Sequence, residues 1–136
     1  MKIYLFLLAA LFISCNSAEE EIGEIFVKDG KIYKEGEAAT YTGIVTDTVN
    51  KNIIQYQVKD GVKNGFIKIY SMDKTVLLNG EILDNKNVGS WEYYYTDGSL
   101  ESRGKFTDDL PDGKWEWFYN SGKLKEAGYF EQYSGL

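Results

Sequence analysis

Gly65, Gly89 and Gly113 stand 24 residues apart, and the three blocks they open align without a gap. Two residues after each glycine come Ile67, Trp91 and Trp115, and five after come Tyr70, Tyr94 and Phe118. Eleven after come Val76, Leu100 and Leu124; fifteen after, Gly80, Gly104 and Gly128; seventeen after, Ile82, Phe106 and Phe130. Such a chain is built from copies of one small unit. A unit of this size cannot enclose a core alone, so each must bury its apolar residues against its neighbour. The repeat core is expected at the columns two, five, fifteen and seventeen residues after each block glycine. Three repeats are expected over residues 65–136, preceded by capping hairpins and a first degenerate repeat over residues 23–64.

Each block reads as a β-hairpin. The first strand, Gly89 to Tyr95, is crowded with aromatic residues that favour a pleated chain. Thr96-Asp97-Gly98-Ser99 and Asn120-Ser121-Gly122-Lys123 are turns whose glycine can take a positive φ. The second strands run from Leu100 to Phe106 and from Leu124 to Phe130. In the first block Lys74 replaces the turn glycine, so that turn must differ or be strained. Asp108 to Gly113 is a second turn, joining blocks, with counterparts at Asp84 to Gly89 and Asp60 to Gly65. The fold class implied is all-β: an elongated single-sheet array of antiparallel hairpins. Columns two and five have opposite parity. Either a bulge intervenes or both faces of the sheet carry aromatic rings. The front is expected to be capped by residues 24–58, and the back edge, from Phe130 to Leu136, to lack a cap.

Gly89-Ser-Trp91-Glu-Tyr-Tyr94 and Gly113-Lys-Trp115-Glu-Trp-Phe118 resemble the MORN repeat, in particular the variant of the YwqK-type antitoxin family; Gly65-Phe-Ile67-Lys-Ile-Tyr70 is a weaker copy. Phe26 to Tyr33 and Tyr41 to Val45 are similar to that family's opening. The resemblance covers about residues 24–136 and implies the hairpin array more firmly than any function. An antitoxin-like or immunity-like binding role is what it implies.

Met1-Lys2 followed by the apolar run Ile3 to Ile13 reads as a signal peptide over residues 1–14, too short to span a bilayer. Phe12-Ile13-Ser14-Cys15 resembles the lipobox of bacterial lipoproteins, with Phe12 where Leu is usual. That resemblance implies lipid attachment, palmitate included, at Cys15, the single cysteine, and anchoring in the bacterial envelope at the outer membrane. Residues 15–22 then form a tether. Its Glu19-Glu20-Glu21 run resembles signals that send lipoproteins to the cell surface.

The chain contains no histidine, so the commonest general base and the commonest transition-metal ligand are both missing. Ser and Thr lack a His partner, no phosphate-binding glycine loop is present, and no cofactor is expected. A net charge of −6 disfavours nucleic acid. Asp108, Asp109 and Asp112 are turn residues first and calcium ligands only as a lesser alternative. These readings describe a non-enzymatic binding module. Its rings fill a thin core, and the surplus, Tyr93, Tyr95 and Trp117, offers a platform for a protein partner. Two alternatives stand beside it: glycan binding through the same rings, and edge-to-edge self-association through the last strand.

Overall fold

The computed structural model describes residues 24–131, and among these there are ten strands and no helix. A short hairpin, β1 (Ile25–Lys28) and β2 (Lys31–Lys34), stands apart. The other strands are β3 (Gly43–Val49), β4 (Asn52–Lys59), β5 (Val62–Ser71), β6 (Val76–Leu83), β7 (Lys86–Tyr94), β8 (Leu100–Thr107), β9 (Leu110–Phe118) and β10 (Leu124–Phe130). They form one eight-stranded antiparallel sheet in which every strand pairs with its neighbours in sequence. The expected single-sheet array of hairpins is the fold of the molecule.

Two kinds of turn alternate along the sheet. The hairpins that close at Val49↔Asn52, Lys59↔Val62, Leu83↔Lys86 and Thr107↔Leu110 enclose only two residues each. Both enclosed residues have positive φ, as at Asp84 (50°) with Asn85 (66°) and Asp108 (48°) with Asp109 (68°). That is the geometry whose twist matches a β-ribbon, and Asp and Asn are the non-glycine residues that tolerate it best. The block junction is therefore shorter than the sequence suggests. Leu110, Pro111, Asp112 and Gly113 belong to β9, and β7 likewise begins at Lys86, not at Gly89.

At the opposite ends three residues lie within each hydrogen-bonded loop, Tyr95 N–H donating to the Ser99 carbonyl, Tyr119 N–H to Lys123 and Ser71 N–H to Thr75. Gly98 N–H donates to the Tyr95 carbonyl and Gly122 N–H to the Tyr119 carbonyl, each glycine being left-handed. Lys74 occupies the same place in the first block at φ 68°, donating to the Ser71 carbonyl. The turn is the same and the strain is retained. Asp73 offsets it by accepting from the Thr75 N–H at 3.1 Å and from the Ser71 hydroxyl.

Gly89 and Gly113 sit inside strands, with φ 63° and 68°. Beside each, the register slips by two: Asn79↔Glu92 gives way to Glu81↔Val88, and Arg103↔Glu116 to Lys105↔Asp112. The block-opening glycines are thus bulge residues. Downstream of the bulge the strand is regular, and cross-strand partners fix which face each side chain takes. Trp91 and Tyr93 point one way, Glu92 and Tyr94 the other. This settles the parity question: both faces carry rings.

One face holds two small cores. In the first, Ile32 of the β1–β2 hairpin packs on Val45 and Val58, the latter 1% exposed, with Ile25, Tyr41 and Tyr56 around them. The Ile32 N–H donates to the Gly61 carbonyl, and the Tyr41 N–H to the Ile32 carbonyl, tying the hairpin to the main sheet. The second core comprises Ile82, Trp91 and Trp115, flanked by Ile67, Leu78, Tyr93, Phe106 and Trp117. No described element covers this second core from above.

Candidate functional site

The indoles of Trp91 and Trp115 lie flat along the sheet because the residues beneath them are glycines. A Cβ on Gly80 would lie 2.6 Å from the Trp91 ring, and one on Gly104 would collide with Trp115 more severely. Gly80 and Gly104 are thus the seats of the next repeat's tryptophan, whereas Gly128 lies beneath Trp117 of its own repeat. The Trp91 indole N–H donates to the carbonyls of Val88 (3.0 Å) and Glu81 (3.2 Å), and that of Trp115 to the Lys105 carbonyl (3.1 Å). These carbonyls flank the bulges, where the ladder is interrupted, so bulge, glycine seat and indole are one device. Both tryptophans are nearly enclosed, at 5% and 6% exposure.

Around them the rings form a continuous field. Phe106 stands edge-on between the two indoles, 5.3 Å from Trp91 and 5.2 Å from Trp115. Phe130 meets Trp115 edge-on from the other side at 6.3 Å, and Trp117 lies alongside it at 6.2 Å. Tyr93 leans between Trp91 and Trp115, and burial raises its phenol pKa above the usual value. Between these groups lies a concavity of about 310 Å³, lined by Tyr93, Phe106, Trp115, Trp117 and Phe130 together with Glu101, Ser102 and Pro111. Ser102 is a buried polar residue at its base.

Of the three surplus rings, the structure brings two together and not the third. Tyr93 and Trp117 share the tryptophan face, so they are shoulders of the core and not a platform on the opposite side. Tyr95 lies beyond β7, and its hydroxyl donates to the Phe118 carbonyl at 2.8 Å, joining two repeats. Tyr70, Tyr94 and Phe118, grouped with the repeat core by their periodicity, lie instead on the reverse face and are half-buried there.

That reverse face is polar in its centre. Gln55, Lys68, Asn79, Glu92, Arg103 and Glu116 are cross-strand neighbours in a straight row. Arg103 pairs with Glu116 at 3.0 Å, and Lys114 reaches the same carboxylate at 2.8 Å; together they hold Glu116 below the usual carboxylate pKa. The Tyr94 hydroxyl donates to Glu92 at 2.8 Å. A second concavity, about 390 Å³, is lined by Lys68, Val76, Asn79, Tyr94 and Gly98. The row was legible in principle: Lys68, Glu92 and Glu116 each stand three residues after a block glycine. Attention to apolar columns alone passes it by, as it does Glu101, Ser102 and Pro111.

The acidic turn cluster resolves into separate structural bonds. Asp109 accepts from the Asn87 N–H (2.7 Å), Asp108 from Lys86 Nζ (3.3 Å), and Asp112 from the Thr107 hydroxyl (2.9 Å). Asn85 does for the Lys63 N–H what Asp109 does for Asn87, one repeat earlier. Cys15 and Glu19 to Glu21 lie outside the described residues.

A family model described as a MORN repeat variant matches residues 87–108 and 111–132. The two matches begin 24 residues apart and span β7–β8 and β9–β10. Among curated proteins none matches the chain.

Proposed function

We propose that this MORN-repeat protein is a non-enzymatic binding module, tethered to the bacterial envelope through a lipid on Cys15, that holds a protein partner on its aromatic face. The observation that carries this reading is the uncovered second core. Tyr93, Phe106, Trp117 and Phe130 stand around two enclosed tryptophans with a concavity among them, while the β1–β2 hairpin packs only at the front of the sheet. A single sheet leaves apolar rings at the surface, and rings of this kind are the usual anchors of protein interfaces. The reading includes an antitoxin-like or immunity-like role of the YwqK type, which for an exported chain would require an exported toxin.

The test is affinity purification of the full-length lipidated protein from its own cells, beside Trp117→Ser. The variant is expected to lose the partner recovered with the parent, a weakening of about 2 kcal/mol or more. Equal recovery by a folded variant would overturn the reading. Labelled palmitate tests the anchor: the parent should carry label and Cys15→Ser none. Retained label in that variant would remove the lipoprotein assignment.

A second reading, envelope glycan binding, is favoured by the reverse-face concavity, where the Tyr94 ring stands beside the Asn79 amide and Lys68. A sugar needs such a ring with hydrogen-bonding groups around it. Loss of polysaccharide binding in Tyr94→Ala, with Trp117→Ser unaffected, would select it. Self-association is a third route. β10 is an edge strand carrying the 77%-exposed Tyr129, and the mass of the purified protein in solution tests it directly.

A further inference from the structure

The concavity on the aromatic face has an uneven chemistry. Five of its lining residues are aromatic, and the face of an aromatic ring carries the negative lobe of its quadrupole. Its one charged lining group is the carboxylate of Glu101, and no cationic side chain among the described residues lines it. Glu101 is placed there by a second irregularity. The β7–β8 register steps from Tyr93↔Ser102 to Tyr94↔Leu100, leaving Glu101 as the extra residue of β8, unpaired across the strand. The basic side chains nearby are directed elsewhere: Arg103 and Lys114 are engaged with Glu116 on the reverse face. The whole chain is acidic, at −6.

We propose that this concavity is a cation-recognition site that takes the basic head of an Arg or Lys side chain on the partner protein. The proposal rests on the partner-binding reading given above and names the chemistry of the partner's contact residue. Rings attract a cation that approaches their faces within about 6 Å of the centroid, and more strongly where water is excluded. Trp117, half-buried and lying alongside the enclosed Trp115 at an interplanar angle of 29°, offers a ring on which a planar guanidinium can stack. Glu101 completes the site with an acceptor for the cation's N–H groups. A neutral aliphatic side chain would fill the same space but leave Glu101 without a partner.

The experiment titrates the protein with N-acetyl-arginine amide, N-acetyl-lysine amide and the uncharged N-acetyl-norleucine amide, following the Trp115 and Trp117 indole N–H signals by NMR. The two basic probes are expected to shift these signals saturably, with norleucine binding at least about tenfold more weakly. Glu101→Gln, an exposed substitution that leaves the rings in place, should weaken the basic probes about threefold to tenfold and leave norleucine unchanged. Equal binding of all three probes, or of none, would overturn the cation site, as would unchanged affinity in Glu101→Gln. Either failure leaves the partner-binding reading standing if Trp117→Ser still loses its partner in the purification. Loss of both results would remove the two together. Binding of N-acetylglucosamine in preference to the basic probes would overturn the site in favour of a sugar.

Discussion

At the scale of single residues, the fold turns on tryptophans seated over glycines. Among the rings of the described residues, Trp115 touches Phe106, Trp117, Phe130 and Tyr93, whereas Trp91 touches only Phe106 and Tyr93. Trp115→Ala is therefore expected to cost about 3–5 kcal/mol in denaturant unfolding, and Trp91→Ala somewhat less. If both variants unfold like the parent, these rings are not the core. Gly104→Ala should cost about 1–3 kcal/mol, because its Cβ would displace the Trp115 ring. At Lys74 the sign reverses. Its left-handed conformation is the one its counterparts Gly98 and Gly122 adopt without a Cβ, so Lys74→Gly should stabilise by roughly 0.5–1 kcal/mol. An unchanged or lowered midpoint would show that Asp73 already relieves the strain. The tryptophan and glycine columns were readable in the sequence because spacing alone reveals them. That Gly80 and Gly104 seat the following tryptophan was not, since it depends on contacts between strands.

At the scale of strands and turns, the sequence showed the three repeat hairpins but not how they register. The Asp108–Gly113 segment has the composition of a long turn, and only the pairing Thr107↔Leu110 shows that two residues suffice. The remaining four enter β9 because Gly113 can occupy a bulge. That bulge recurs at Gly89 and precedes both ring columns, so the strand alternates regularly beyond it and Tyr94 and Phe118 face away from Trp91 and Trp115; period alone left open whether a bulge stood between the two columns. The same turns stitch neighbouring repeats, since Asp109 accepts from Asn87 N–H while its own N–H donates to the Asn87 carbonyl. Asp109→Asn should keep this bond, as Asn85 does one repeat earlier, and should unfold like the parent. Asp109→Ala loses it and adds a left-handed Cβ, at an expected cost of about 1–3 kcal/mol. Equal stability of the two variants would show that the stitch contributes nothing.

At the scale of the whole molecule, the charge and the two faces determine behaviour. With no histidine, no imidazole titrates near neutrality, and thermal stability should be flat between about pH 6 and 8. Asp73, Asp97 and Glu116 are held below their usual pKa values, first by hydrogen bonds from Ser71, Ser99 and Lys114 respectively. Their contribution is present above the unfolded values, about 4, and is lost as pH falls through the lower folded ones. Tyr56, Tyr93 and Tyr94 are raised, chiefly by burial, so their contribution is present below about pH 10 and lost as pH rises through the folded values. A midpoint that changed steeply between pH 6 and 8 would contradict this distribution. The two faces separate the proposed seat of a protein partner, the aromatic face, from its reverse. Site-specific photocrosslinking in the protein's own cells tests that seat most directly, with a benzoylphenylalanine placed at residue 117 or, on the reverse face, at residue 68. A discrete adduct is expected from position 117 and none from position 68; adducts from position 68 alone, or from neither, would place no partner on the aromatic face.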